Sequence, residues 1–248
     1  AGLFVVVVWV IGLLRPDWSP AGERMAWRER LVAASAMWKL LLLFGLAVGG
    51  IYTGWFSPTE AAGVASFAAI VIGVATGKLN WRGVVDSVSD SLLTTAMLMF
   101  IIAGAWIFAF FVVQTRVPVA LVELIEFLNL APWAVISVIL VFYIILGCVL
   151  DSVAIILVTV PVFLPVVVAL DYNTVWYGIL MVVVVEMGLI TPPVGLNIFV
   201  IRAQLPDIQL GTVFRGIAPF LVGHVVLILL LMLFPKIALW LPTLLYAP

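Results

Sequence analysis

Charged residues are scarce in this sequence. Asp, Glu, Lys and Arg make up only 9% of its 248 residues, whereas 66% of the residues are hydrophobic. A soluble domain has about 25% charged residues, so this composition excludes a soluble domain and indicates a chain surrounded by a lipid bilayer. The net charge of −1 also gives no indication of a nucleic-acid partner.

Cysteine and histidine are rarer still. Cys148 and His224 are each the only residue of their kind. One cysteine excludes a disulfide framework or a cysteine-rich metal site within this sequence. A lone histidine inside an apolar run is more often a packing residue than a proton relay. The sequence begins without Met or the basic flank of a signal peptide, and we expect earlier spans to precede it.

Several apolar runs reach the ~20 residues with which a helix crosses ~30 Å of hydrocarbon. They predict an all-α polytopic membrane protein. We expect spans over 36–54, 58–77, 92–115 and 217–241. Residues 78–91 are too polar to cross the bilayer and are typical of a helix that lies along its interface.

The distribution of basic residues indicates the orientation. Following the spans alternately places nine of the 11 Lys and Arg residues on one side, which should be the cytoplasmic side. The apolar stretch 133–170 returns to its starting side whether it forms two full spans or one re-entrant hairpin, so this distribution does not distinguish the two.

The segment GLITPPVGLN, residues 188–197, must interrupt the helix expected over 174–201. Its adjacent prolines remove two backbone donors and clash with the preceding turn. Open backbone groups are costly in hydrocarbon unless they face protein or a water-filled cavity, so a broken helix at mid-membrane often marks a binding site. Its carbonyls can ligate a cation, and the following helix N-terminus favours an anion. A structural kink is the alternative.

Two carboxylates lie within apolar segments. Asp151 interrupts the stretch 133–170, where a charge is costly unless it is protonated, paired or bound to a cation. No basic residue lies between Arg116 and Arg202, so a bound Na⁺ or a proton would resolve that cost. Glu186 lies two residues before the break and either contributes to an ion or proton site or caps the open backbone.

The tetrapeptide Ser57-Pro58-Thr59-Glu60 predicts the start of a helix. Serine at the N-cap, proline at the first helical position and glutamate three residues after the serine form a capping box. This structural role explains these residues, and a functional role is the weaker alternative.

Three segments together resemble the large membrane subunit of tripartite ATP-independent periplasmic (TRAP) transporters. They are IYTGWFSPTEAAG (51–63), LGCVLDSVAIILVTVPVFLPV (146–166) and EMGLITPPVGLNIFV (186–200). They occur in the family's order and spacing, and the resemblance covers essentially the whole chain. The family often has an Asp-Pro pair where this sequence reads Asp171-Tyr172-Asn173, which is a difference in a turn.

The resemblance implies a domain organisation. The large subunit is expected to have about twelve spans, built from two inverted repeats. This chain would be its C-terminal half and would hold the second repeat. Residues 1–35 would form the end of a span and a cytoplasmic amphipathic arm, and 36–130 scaffold-type spans. The transport-type region over 131–248 would contain a re-entrant hairpin over 133–170 and the broken helix over 174–201.

The resemblance also implies a function, which is sodium-coupled uptake of an organic anion by an elevator motion and not enzymatic catalysis. The partners would be a small four-span membrane subunit and a periplasmic substrate-binding protein. The location would be the bacterial cytoplasmic (inner) membrane. A C4-dicarboxylate, a sialic acid, a keto acid and other organic anions all fit as substrate.

The sodium site would join the tip of the hairpin to the broken helix. Its expected ligands are one carboxylate and the backbone or side-chain oxygens around four other residues: Asp151, Gly188, Thr191, Gly195 and Asn197. Thr191 and Asn197 would also face the carboxylate of the substrate. Ser152 and Glu186 would lie beside the site and support it.

Other functions fit the same residues. One is a stand-alone sodium/dicarboxylate symporter that needs no binding protein. Another is an intramembrane enzyme that uses Asp151 and Glu186 as a carboxylate pair, although the tandem prolines argue against it. A third is a structural subunit in which both buried carboxylates are protonated.

Overall fold

The computed structural model describes residues 2–15, 26–192, 195–204 and 208–246. Within these ranges the chain forms helices and short turns, with no strand, as the composition predicts. The described helices, in chain order, are α1 (Gly2–Leu14), α2 (Trp27–Ala36), α3 (Trp38–Phe44), α4 (Gly50–Tyr52), α5 (Pro58–Ala75), α6 (Trp81–Gln114), α7 (Val117–Phe127), α8 (Pro132–Gly147), α9 (Ser152–Ala169), α10 (Thr174–Ile190), α11 (Leu196–Gln204), α12 (Leu210–Leu233) and α13 (Lys236–Tyr246).

Many of these helices are apolar enough to lie in a bilayer. By length and hydropathy, four described helices could each cross it alone: α5, α6, α9 and α12. Shorter apolar helices are α1, α8, α10 and the combined segment Trp38–Tyr52. The chain is therefore a multi-pass membrane protein with an all-α fold.

The chain divides into two compact units: residues 21–98 form one, and residues 1–20 with residues 99–248 form the other, so that one division lies inside α6 between Leu98 and Met99. The unit before this point contains α2 to α5. In it, a single π-helical turn over Gly45–Gly49 joins α3 to α4. The segment predicted as a span over 36–54 is thus helical from residue 38 to residue 52.

The predicted capping box is confirmed at the start of α5. The Ser57 side chain accepts a hydrogen bond from the Glu60 N–H at 3.4 Å, and the Glu60 carboxylate accepts one from the Ser57 N–H at 2.8 Å. Pro58 occupies the first helical position, where it removes no helical hydrogen bond. These contacts give the tetrapeptide a structural role.

A single helix of 34 residues, α6, replaces the two elements predicted over 78–91 and 92–115. The helix predicted over 78–91 is therefore not separate from the next element, and its position along the membrane interface stays a prediction. Three hydroxyls along α6 are satisfied inside it. The hydroxyls of Ser87, Ser91 and Thr94 each donate to the carbonyl four residues earlier.

The other unit has its hydrophobic core among α8, α9, α10 and α12. Helices α8 and α9 form a hairpin with a turn at residues 148–151, and α8 packs along α10. The side chains of Ile136, Ile155 and Leu180 are fully buried in this core. The hairpin and α10 therefore form one packed body, on which the candidate site lies.

The last span, predicted over 217–241, has other bounds in the structure, where α12 over Leu210–Leu233 is long and apolar enough to cross a bilayer. Helix α12 ends at Leu233, and Phe234 has a non-helical backbone (φ −128°, ψ 73°). Proline disfavours a helical conformation in the residue before it, so Pro235 explains this end. The chain resumes as α13.

Pro235 has no N–H, so it also removes the helical donor of the Leu231 carbonyl. The indole N–H of Trp176 replaces that donor, with Nε1 2.7 Å from the Leu231 oxygen. The Trp176 side chain is 2% exposed. This bond fixes the first turn of α10 to the end of α12.

Candidate functional site

The predicted break in the helix over 174–201 is present. Helix α10 continues through Gly188 to Ile190, and α11 begins at Leu196. Pro193 and Val194 lie outside the described residues. Gly195 has a positive φ of 58°, in the left-handed region that favours glycine.

Thr191 ends α10 with two hydrogen bonds. Its N–H donates to the Gly188 carbonyl at 3.0 Å, and its hydroxyl donates to the Met187 carbonyl at 2.6 Å. The hydroxyl has one hydrogen, so its oxygen retains only lone pairs for a further partner. Thr191 can therefore ligate a cation in this conformation, but it cannot also donate to a substrate carboxylate.

The tandem prolines remove the helical hydrogen-bond donors of two carbonyls of α10. In a continuous helix, the N–H groups at positions 192 and 193 would donate to the Gly188 and Leu189 carbonyls, but proline has no N–H. Thr191 replaces the donor for Gly188. The Leu189 carbonyl belongs to a buried residue and is a candidate ligand that the sequence analysis missed. The position of Pro193 is the signal that could have identified it.

Asp151 caps the second helix of the hairpin. One oxygen of its carboxylate, Oδ2, accepts a hydrogen bond from the Val153 N–H at 3.0 Å, and the residue is exposed. This N-cap role satisfies one of the orphan donors of α9. Ser152, predicted to support the site, is the half-buried first residue of that helix.

The end of the hairpin's first helix touches α10 just before the break. A Cβ added to Gly147 would lie 2.8 Å from the Cα of Gly188, and one added to Gly188 would lie 2.7 Å from the Cα of Gly147. The two backbones are thus in direct contact. Next to them, the Cys148 Sγ lies 3.7 Å from the Pro192 carbonyl oxygen, and its thiol donates to the nearer Ile144 carbonyl oxygen at 3.2 Å.

The structure places the predicted site residues in different environments. Gly188 and Gly195 are buried, and Thr191 is half-buried. Asn197 and Glu186 are exposed. Within the described part of the chain, the hairpin tip meets the break through Gly147 and Cys148, and no hydrogen bond joins the Asp151 carboxylate to the break.

The described residues contain no cluster of three His, Cys, Asp or Glu side chains that could hold a metal ion. The region near the break instead offers carbonyl, hydroxyl and amide oxygens, and Asp151 in the turn of the hairpin and Glu186 on α10 are carboxylates of the neighbouring segments. Backbone carbonyls exposed at a helix break are ligands that coordinate Na⁺ in transporters. The donor set therefore fits an alkali cation better than a transition metal.

Residues 1–237 match the family model of the tripartite ATP-independent periplasmic transporter, DctM component. The chain belongs to this family. It is similar to the C4-dicarboxylate TRAP transporter large permease protein DctM of Pseudomonas aeruginosa, with 36% identity over 97% of this chain and 56% of the relative. The DctM protein of Vibrio cholerae is 32% identical over 100% of this chain and 59% of the relative. The sialic acid TRAP transporter large permease protein SiaM of Vibrio cholerae is 29% identical over 88% and 51%.

The chain spans about half the length of these TRAP relatives. All three are named as permeases and not as enzymes. The three sequence motifs predict this family, and the match to its family model confirms that prediction.

The predicted site did not include Gly147 and Cys148, the two residues through which the hairpin tip of this TRAP chain contacts α10 near the break. The sequence does show Gly147 as an interruption of an apolar run. Small residues allow close approach of helices in membranes. What the sequence does not show is the partner helix, because the approach depends on how α8 packs against α10.

Proposed function

We propose that this chain forms part of a large permease subunit that takes up an organic carboxylate across the bacterial inner membrane, driven by a sodium gradient. The observation that carries the proposal is the contact of the hairpin tip with the broken helix. Both regions contain backbone groups that are outside the helical hydrogen-bond pattern, and the two regions meet where Gly147 contacts Gly188. Such backbone is tolerated at membrane depth where it is buried in protein or lines a cavity.

Na⁺ would bind between these two regions. Asp151 would supply the negative charge through the carboxylate oxygen that does not cap α9. The neutral ligands would come from the carbonyls of Gly188 and Leu189, the Thr191 hydroxyl oxygen, and oxygens around Gly195 and Asn197. One carboxylate among neutral oxygens matches the single charge of the ion. Ser152 and Glu186 would support the site from its edge.

The substrate would be an anion that approaches the same break. The start of α11, after Gly195, has the partial positive charge of a helix N-terminus. Asn197, an exposed residue near the start of α11, would donate to a carboxylate of the substrate. The relatives are named for C4-dicarboxylates and for sialic acid, and both are organic carboxylates.

The remaining parts of the proposal concern the whole transporter. The hairpin and the broken helix would belong to a transport-type region over 131–248 that moves as an elevator, with 36–130 as scaffold. A small four-span membrane subunit and a periplasmic binding protein would complete the system. The packing of α8, α9 and α10 around one core supports movement of these helices as one body.

Uptake into proteoliposomes tests this function. The complete large subunit would be reconstituted with its small subunit and binding protein, and labelled succinate and sialic acid would be supplied with and without an inward Na⁺ gradient. The proposal predicts uptake that requires both sodium and the binding protein. Uptake without the binding protein would instead indicate the stand-alone symporter, and uptake unaffected by Na⁺ would contradict sodium coupling.

A further inference from the structure

Three buried hydroxyl groups meet where α8, α9 and α10 pack together. The hydroxyl oxygens of Tyr143 and Tyr177 are 2.8 Å apart, and Thr159 Oγ1 lies 2.9 Å from the Tyr143 oxygen. Thr159 is 4% exposed, and the tyrosines are 0% and 2% exposed. Each of the three helices contributes one member of this hydroxyl cluster.

The number of hydrogens determines the direction of these hydrogen bonds. Thr159 Oγ1 is also 2.7 Å from the Ile155 carbonyl, which can only accept. With one hydrogen, Thr159 donates to Ile155 and accepts from Tyr143, which in turn accepts from Tyr177. Every hydroxyl hydrogen then has an acceptor. In the reverse direction, the Tyr177 hydrogen would have none among these four groups.

The hydroxyl cluster gives the core defined distances and angles between helices, which apolar packing alone does not impose. Side chains of similar shape without hydroxyls would fill the same space and would bury no polar atom. Hydrogen bonds require a defined distance and angle, so they fix the rotation and the height of each helix relative to its neighbours. Tyr143 is the central member, because its oxygen bonds to both of the others.

Tyr143 is also close to the hairpin tip. It lies one helical turn before Gly147, so the two residues share a face of α8. Gly147 in turn touches Gly188 near the end of α10. A rotation or shift of α8 at Tyr143 would therefore change the contact between the hairpin tip and the break.

We propose that Tyr143 is a positioning residue for the cation site. Its hydroxyl holds both helices of the hairpin and the first half of the broken helix in one register, and this register sets the distance from Asp151 to the break. The proposal rests on the sodium-coupled transport proposed above. Tyr143 acts through the helices that carry the ligands and does not contact the ion.

The test uses the substitution Tyr143→Phe in the complete transporter. This substitution removes both hydrogen bonds of the Tyr143 hydroxyl. We expect the Na⁺ concentration for half-maximal uptake to rise at least ~5-fold, while the maximal rate changes less than ~2-fold. The matched control is Tyr52→Phe, which removes a hydroxyl from a residue that is 51% exposed. It should leave the half-maximal Na⁺ concentration unchanged.

A second readout does not depend on transport. Cys148 is 7% exposed and lies beside the break, so its alkylation by N-ethylmaleimide reports how tightly the tip is held. We expect Tyr143→Phe to accelerate alkylation, measured at Cys148 by mass spectrometry, at least ~5-fold. Thr159→Val should act in the same direction as Tyr143→Phe, whereas Thr159→Ser keeps the hydroxyl and should retain the wild-type rate.

The outcomes separate this proposal from the proposed function. An unchanged alkylation rate in Tyr143→Phe would overturn the positioning role. Faster alkylation with an unchanged half-maximal Na⁺ concentration, in a transporter whose wild type depends on sodium, would also overturn it, since the residue would then be merely structural. Wild-type uptake that is independent of sodium would refute the proposed function. The alkylation rate would still decide whether Tyr143 fixes the position of the hairpin tip.

Discussion

Gly147 and Gly188 pack backbone against backbone, which joins the end of α8 to α10 three residues before Thr191. Alanine at either position would place its Cβ less than 3 Å from the backbone of the other helix. Backbone cannot move aside as a flexible side chain can, so the helices would have to separate. The close approach of the hairpin to the break therefore depends on both glycines.

The first prediction concerns this contact. Gly147→Ala and Gly188→Ala should each destabilise the unit by about 1–3 kcal/mol, the usual effect of overpacking, and should lower uptake strongly. Gly178→Ala is the matched control on α10, because no atom lies within 4 Å of a Cβ added there. Thermal unfolding in detergent measures stability. If Gly188→Ala were as stable and as active as Gly178→Ala, the close contact would not exist in the working protein.

The second prediction concerns the end of α12. Trp176→Phe keeps the aromatic packing but removes the indole N–H that bonds to the Leu231 carbonyl. The buried carbonyl would lose its donor, and we expect a destabilisation of about 1–3 kcal/mol. Trp240→Phe should have little effect because Trp240 is 65% exposed. Equal melting temperatures for the two variants would show that the bond does not stabilise the fold.

The third prediction concerns the capping box of α5. Ser57→Ala removes the side-chain acceptor at the N-cap and should destabilise the first turn by about 1 kcal/mol. Hydrogen exchange of the backbone amides at residues 59–61 should become faster. Ser66 serves as the control, because its hydroxyl bonds within α5 to the Ala62 carbonyl and caps no terminus. Identical exchange in Ser57→Ala and wild type would refute the capping role.

Several features were predictable because local chemistry determines them. The start of α5 follows from Ser57, Pro58 and Glu60, whose capping contacts involve only neighbours in the sequence. The break after α10 follows from adjacent prolines, which cannot donate to the preceding turn. The family was recognisable for the same reason, since its motifs contain these residues.

Other features were not predictable from the pattern used. The polarity of residues 78–91 suggested a separate helix, but α6 continues through it, and hydroxyls of Ser87, Ser91 and Thr94 bond within that helix. Pro235 was visible in the sequence and was outweighed by the apolar run around it. The contact of Gly147 with Gly188 and the hydroxyl cluster depend on tertiary packing, which pairs residues far apart in the chain.

The charge of Asp151 is central to sodium coupling, and one substitution isolates it. Asparagine caps helices about as well as aspartate, so Asp151→Asn should keep the bond to the Val153 N–H and the fold of α9. Only the negative charge is lost. The matched control is Asp171→Asn, in an exposed turn with φ 60°, a conformation that asparagine tolerates.

The most direct test is therefore sodium-dependent uptake by the reconstituted transporter carrying Asp151→Asn, compared with Asp171→Asn and wild type. We predict that Asp151→Asn abolishes the dependence of uptake on the Na⁺ gradient, while Asp171→Asn retains it. Wild-type sodium dependence in Asp151→Asn would contradict a sodium site that uses this carboxylate between the hairpin tip and the broken helix.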